Sequence, residues 1–202
     1  MTGGYGGDGN DHMHGDADND TLDGGNSIDT INGGDGFDSI DGGAGDDNLN
    51  GDADDDTLNG GDHDDLIDGG ACDDVMNGQG GEDALIGMAG ADTIDGGDAN
   101  DAILGGADHD VILGGEGIDI LSGDDGNDTI HGGGDDDTIS GGKDDDALAG
   151  GFGNDVIDGD DGDDVLFDWD LLAAGDGDFD QLNGGLGTNA VFGDVGLDVL
   201  IP

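Results

Sequence analysis

Basic side chains are almost absent from these 202 residues: Lys143 stands alone against 54 acidic residues, for a formal net charge of −53. Nucleic acid and anionic lipid surfaces need clustered Lys or Arg to displace their counterions, so both are excluded as partners. Cations are the natural partner. Cys72 is the only cysteine, which removes any disulfide framework and leaves a small fold in need of some other staple. Aromatics make up 3% of the chain, too few for an ordinary core. No stretch approaches the ~20 apolar residues that cross a bilayer. The opening Met1-Thr2-Gly3-Gly4-Tyr5 has neither the basic nor the apolar region of a cleaved signal peptide, so an export route would not be read from that end. Such a balance of charge and apolar groups ordinarily means disorder, because burial cannot offset chain entropy and self-repulsion.

What the chain does have is a strict period. Glycine recurs every nine residues from Gly6 through Gly15, Gly24 and Gly33 to Gly159 without an insertion, which makes eighteen units over 6–167. The sixth position of each unit is aspartate: Asp11, Asp20, Asp29, Asp38, Asp47, Asp56, Asp65, Asp74, Asp83, Asp92, Asp101, Asp110, Asp119, Asp128, Asp137, Asp146, Asp155 and Asp164. The eighth is always Leu, Ile or Met, as in Met13, Leu22, Ile31, Ile40 and Leu49. A disordered polyanion has no reason to hold three chemistries in register. In Gly33-Gly34-Asp35-Gly36-Phe37-Asp38 the glycines at positions one, two and four permit positive φ and close backbone approach, so the first six positions read as a turn. Ser39-Ile40-Asp41 then supplies one inward aliphatic between two outward polar residues, a three-residue strand. With nine residues per half coil, strands eighteen apart stack at about 4.8 Å into two facing parallel sheets. Met13, Ile31 and Leu49 are expected to line one sheet and Leu22, Ile40 and Leu58 the other.

The unit GGxGxDxUx, with U a large aliphatic, resembles the repeats-in-toxin (RTX, hemolysin-type) calcium-binding nonapeptide repeat, and the resemblance spans nearly the whole chain. It implies an all-β, right-handed parallel β-roll with calcium between successive turns. The implied ligands are the sixth-position carboxylates together with backbone carbonyls of the glycine-rich loop, represented by Gly33, Asp35 and Gly36, Gly42, Ala44 and Gly45, Gly114, Glu116 and Gly117, and Gly150, Phe152 and Gly153. Calcium suits such a site, being a hard cation that takes six to eight oxygens in a tolerant geometry. Stacking Asp38 near Asp56, and Asp47 near Asp65, sets like charges together unless a cation lies between them. One ion shared between units eighteen apart gives roughly sixteen ions, about +32 of charge. Calcium would then be part of the fold, since a single-file aliphatic core is too thin to stand alone.

Departures from the motif carry their own expectations. Asp16, Asp52, Asp124 and Asp160 replace the second glycine, and Asp18, Asp54, Asp108, Asp135 and Asp144 the fourth. Aspartate tolerates left-handed backbone, so these turns are expected to survive, with the extra acids solvating the surface; added ligation and a salty habitat are the alternatives. Gln79 and Met88 also displace the second glycine, which predicts weaker ions there. The register breaks at Asp168-Trp169-Asp170-Leu171-Leu172-Ala173-Ala174, and three degenerate units follow from Gly175, Gly184 and Gly193. Residues 168–202 are read as a C-terminal cap, with Phe167, Trp169, Phe179 and Phe192 near it, after a lead-in at 1–5. The final Asp198-Val199-Leu200-Ile201-Pro202 resembles the tail of an uncleaved type I secretion signal.

Catalytic residues are not expected. His12 and His14 flank Met13 but make an incomplete metal site, and His63, His109 and His131 fall at unrelated repeat positions. Cys72 replaces a turn glycine and reads as a small tolerated residue rather than a nucleophile. The paired carboxylates sit where calcium would neutralise them, which is unsuitable for acid–base work. The sequence therefore predicts a noncatalytic, secreted calcium-binding module, with calcium ions and type I secretion machinery as partners and a covalent neighbour domain in a longer protein as a further one. An adhesive or ice-binding face is the alternative, suggested by the outward Thr21, Thr57, Thr93 and Thr129, although Ser39, Val75 and Val111 interrupt it. A second is the C-terminal module of a toxin or hydrolase whose catalytic domain lies elsewhere.

Overall fold

Because each unit carries one inward aliphatic and one inward aspartate, the chain can bury them only by winding. A computed structural model describes residues 3–167, 180–192 and 199–201. Among them, twenty-two strands alternate between two eleven-stranded parallel sheets, every strand pairing with the one two places on in the chain. The strand Thr30–Asp35 pairs with Asn48–Ala53, setting Thr30 against Asn48, Ile31 against Leu49 and Asp35 against Ala53, a step of eighteen residues. The fold is an all-β parallel β-solenoid of the β-roll type. Met13 and Ile31 pair in one sheet and Leu22 and Ile40 in the other, as the sequence predicted. From Leu22 to Leu182 the eighth-position aliphatics are at most 1% exposed and form one continuous core, with Met13 at 9% where the stack begins.

The strands correct the sequence reading in one respect. From His12–Ala17 to Val156–Asp161 they are six residues long rather than three, as in Ser39–Ala44, and the turn between strands shrinks to Gly45, Asp46 and Asp47, while the last four strands keep three residues. The extended backbone runs on through the first three positions of the next unit because positions eight and one both face inward, as Ile40 and Gly42 do. Glycine at position one adds no side chain of its own. The space it leaves is filled by the aspartate of its own unit.

Beyond the eighteenth unit the ladder resumes with a longer step. Ile157 pairs with Leu182 and Val165 with Ala190, twenty-five residues apart, so the seven extra residues are accommodated without loss of register. Leu182 is fully buried, Val191 packs against the same core, and the rings of Phe167 and Phe192 stack at 5.5 Å. The insert 168–174, Phe179 and residues 193–198 lie outside the described residues, so the cap and secretion-tail readings there are untouched. Among the described residues no helix is long and apolar enough to cross a membrane.

Candidate metal centre

Two backbone positions in nearly every unit require left-handed geometry, one at the end of the strand and one at the start of the turn. Positions two and four have positive φ in every unit of the array but for Gly162, for example Gly34 at 112° and Gly36 at 128°. Where a side chain replaces glycine, the backbone moves to φ of 61–85°, the region that Asp and Asn tolerate best. Asp16, Asp52, Asp124, Asp160, Asp18, Asp54, Asp108, Asp135 and Asp144 all adopt it, and so do Gln79, Met88 and Cys72. The turns are thus retained at the substituted units. Position one is never substituted in the array, and its reason is different. A β-carbon on Gly42 would lie 2.6 Å from Asp47 Oδ2 and 2.7 Å from the Gly60 carbonyl oxygen of the next coil.

That crowding leads to the buried aspartates. From Asp20 to Asp164 the sixth-position residues are at most 4% exposed, far below what an ionised carboxylate normally tolerates. One oxygen is satisfied: the Asp38 amide donates to Asp56 Oδ1 at 2.7 Å, Asp47 to Asp65 at 2.7 Å and Asp92 to Asp110 at 2.8 Å. The ladder steps eighteen residues at a time, which joins Asp38 to Asp56 and Asp47 to Asp65 as expected. The other oxygen is not satisfied. From Asp29 to Asp146, Oδ2 is buried and has no hydrogen-bond partner among the described residues. Each sits beside the first-position glycine of its own unit, and in most units a first-position carbonyl oxygen from the next coil lies there too, such as that of Gly42 beside Asp29 and of Gly60 beside Asp47.

Electrostatics follow from that packing. Burial pushes the carboxyls of Asp56, Asp65, Asp74, Asp101, Asp110 and Asp146 up to about 7, and that of Asp137 up to about 8. The amide hydrogen bond opposes this rise, while aspartates one coil away add to it. Burial likewise raises Asp38, Asp47, Asp83, Asp92, Asp119, Asp128 and Asp164. Burial alone thus sets each turn against the charge of its carboxylates, which a cation would relieve.

Asn189 supplies an internal comparison. Its Oδ1 accepts from the Asp164 amide at 2.8 Å, the role aspartate has elsewhere, and its Nδ2 donates to the Gly184 carbonyl. Where the array has Oδ2, this unit has a hydrogen-bond donor. In the array Oδ2 has no donor, and in most units it shares the space by the first glycine with a carbonyl oxygen, the kind of donor set a hard cation takes.

The carbonyls expected as ligands divide into three groups. The first-position carbonyls, those of Gly33, Gly42, Gly114 and Gly150 among them, lie near the glycine and aspartate of the coil below. Several third-position carbonyls accept from the fourth-position amide of the coil below: Ala44 from Ser27 at 2.6 Å, and Gly134 from Gly117 at 3.1 Å. Asp35, Glu116 and Phe152 occupy the same position. The fourth-position residues Gly36, Gly45, Gly117 and Gly153 begin the turn with φ of 128–136°. Among the described residues no three His, Cys, Asp or Glu side chains converge as a metal site, so an ion here depends on backbone oxygens as well as carboxylates.

Sequence reasoning missed the fifth position. Asp55 Oδ1 accepts from the Asp73 amide, Asp64 from Glu82, Asp136 from Asn154 and Asp145 from Asp163. Here the upper coil donates to the lower, opposite to the sixth position, so adjacent aspartates tie each pair of coils in both directions. Frequent Asp and Asn at that position was the available signal. His109 serves the same way, its Nδ1 accepting from the Asn127 amide at 2.8 Å. His12 and His14 lie exposed on the strand His12–Ala17, and Cys72 is exposed at its turn. Lys143 forms an ion pair with Asp125 on the outer surface.

The comparisons agree with this geometry. No curated protein matches the chain. A family model for the RTX calcium-binding nonapeptide repeat, in four copies, matches residues 5–31, 23–58, 51–85, 77–112, 113–148 and 141–167. Those segments run through the whole array of buried aspartates, and the chain belongs to the RTX calcium-binding nonapeptide repeat family, a noncatalytic calcium-binding β-roll.

Proposed function

We propose that the array is a calcium-dependent folding module of a secreted protein, unfolded in calcium-poor surroundings and wound into the β-roll where calcium is abundant. One observation carries the reading: a row of buried, unpartnered Oδ2 atoms from Asp29 to Asp146 in a chain of net charge −53. The ligands are the sixth-position carboxylates and the loop carbonyls at positions one, three and four. Each ion is shared between units eighteen residues apart, giving roughly sixteen over the array. Ions so placed meet the orphan oxygens and cancel repulsion along both ladders, so binding and folding are one event.

Extracellular calcium is in the millimolar range that such modules use. Export as an unfolded polyanion, with type I secretion machinery acting on the C-terminal tail, fits a chain that cannot fold before it meets calcium. Residues 168–202 serve as the cap, and a neighbouring domain in a longer protein would carry any further activity.

Circular dichroism at pH 8 tests the reading. The chain in EDTA at low salt should lack β signal, and millimolar calcium should restore it cooperatively. A compact, β-rich chain in EDTA would overturn it.

A further inference from the structure

The turns are not equivalent along the stack. On one edge the fourth positions run Gly9, Ser27, Gly45, His63, Gly81, Ala99 and continue alternately to Gly153. On the other edge the row is Asp18, Gly36, Asp54, Cys72, Gly90, Asp108, alternating onward to Gly162, with one slip where Cys72 follows Asp54. Glycine and side-chain-bearing residues thus take turns every eighteen residues, a period of two coils.

Sterics account for it. A β-carbon on Gly45 would lie 2.5 Å from the Ser27 carbonyl carbon and 2.6 Å from its oxygen, and β-carbons on Gly81, Gly90 and Gly117 would strike the carbonyls of His63, Cys72 and Ala99. The carbonyl of the turn below leaves these glycines no room for a β-carbon, and wherever that turn carries a side chain the coil above has glycine, except where Cys72 follows Asp54. The backbone differs accordingly: φ is 71–85° at the substituted fourth positions and 109–150° at the fourth-position glycines from Gly9 to Gly153.

The gap between coils differs in the same sense at the three side-chain-bearing turns whose amide is bonded to the coil above. The amides of Ser27, His63 and Cys72 reach the third-position carbonyls above them at 2.6 Å. Those of Gly9, Gly36, Gly45, Gly81, Gly90 and Gly117 do so at 3.1–3.4 Å. A short bond commits the third-position carbonyl to the amide, and a long one leaves it available to a cation.

We propose that the intervals between stacked turns form two alternating classes, and that the wider ones, with glycine below and a side chain above, hold calcium more tightly than the narrow ones. This rests on the calcium reading above. Roughly half the ions belong to each class. After the slip at Cys72 the two edges come into phase, so that coils beyond it are held as pairs: the coil of Ala99 and Asp108 closes on that of Gly117 and Gly126, and the next gap is wide on both edges.

Calcium release separates the classes. The calcium-loaded full chain is mixed rapidly with a fluorescent chelator and the ions counted as they leave. Two phases of about equal amplitude are expected, with rates differing roughly fivefold to tenfold, the worth of one hydrogen bond traded against an ion contact. The double variant Ser27→Gly, His63→Gly relaxes two narrow intervals and should move about two ions from the fast phase to the slow one. Hydrogen exchange on the parent chain gives a second measurement that needs no variant, with the Ser27, His63 and Cys72 amides more protected than those of Gly36, Gly81 and Gly90. A single release phase, or equal protection at the two sets of amides, would overturn the two classes while leaving calcium binding intact. A chain that carries no calcium to release would overturn the calcium reading itself.

Discussion

Replacing Asp92 separates what its two oxygens do. Oδ1 accepts the buried Asp74 amide at 2.7 Å, and Oδ2 lies unpartnered beside Gly87 with the Gly105 carbonyl close by. Asp92→Ala removes both, leaving a buried amide without an acceptor at roughly 1–3 kcal/mol as well as losing a ligand. Asp92→Asn keeps Oδ1 and puts a donor where Oδ2 was, the arrangement Asn189 already uses against Gly184. In calcium both variants lose a charged ligand and should be less stable than the parent by roughly 2–4 kcal/mol. Without calcium they should diverge, because Asn removes a charge that burial opposes. The control is Asp62→Ala, an exposed third-position acid whose carbonyl oxygen survives the change, expected to cost under about 0.5 kcal/mol. Asp125 would be a poorer control because it pairs with Lys143. Isothermal titration counts the ions, and thermal melts with and without calcium give the stabilities. If Asp92→Asn binds as many ions as the parent, or if Asp62→Ala loses as many as Asp92→Ala, calcium is a diffuse counterion and the site assignment fails.

Three further outcomes are expected. The carboxyls of Asp56, Asp65, Asp74, Asp101, Asp110 and Asp146 rise in the metal-free fold to about 7 from 3.8, so their contribution is fully present below 3.8 and is lost as pH climbs through 7. The EDTA-treated chain should therefore gain β signal on acidification from pH 8 to 5, while protons compete with calcium and raise the calcium midpoint; no change in either quantity by circular dichroism would contradict the buried-carboxylate account. Gly114→Ala should cost roughly 2–4 kcal/mol in calcium, because its β-carbon would collide with Asp119 Oδ2 and the Gly132 carbonyl, whereas a β-carbon on Gly115 meets the Gly97 carbonyl only at the glycine φ of 117°, and Asp16, Asp52, Asp124 and Asp160 show that aspartate there moves to φ of 61–78°, so Gly115→Asp should cost under about 1 kcal/mol; melts that rank them the other way would refute the steric reason for the first glycine. Deleting residues 168–202 uncovers Ile157 and Leu166 and takes Asn189 Oδ1 from the Asp164 amide, so the melting temperature in calcium should fall by roughly 5 °C or more; an unchanged melt would dispose of the cap.

Much of this protein follows from the chain alone. An unbroken nine-residue period with one aliphatic and one aspartate per unit admits only a winding that places Leu22 over Ile40 and Asp38 beside Asp56, because no other arrangement buries every eighth position at once. The acidic excess and the motif then point to calcium. What the local pattern could not supply is which atoms meet across eighteen residues. The six-residue strands, the need for glycine at Gly42 that comes from Asp47 rather than from φ, the opposed ladders at positions five and six, and the wide and narrow intervals at Gly36 and Ser27 all depend on coils in contact. Local chemistry fixes the period of a solenoid, and through-space packing decides what each residue of that period touches.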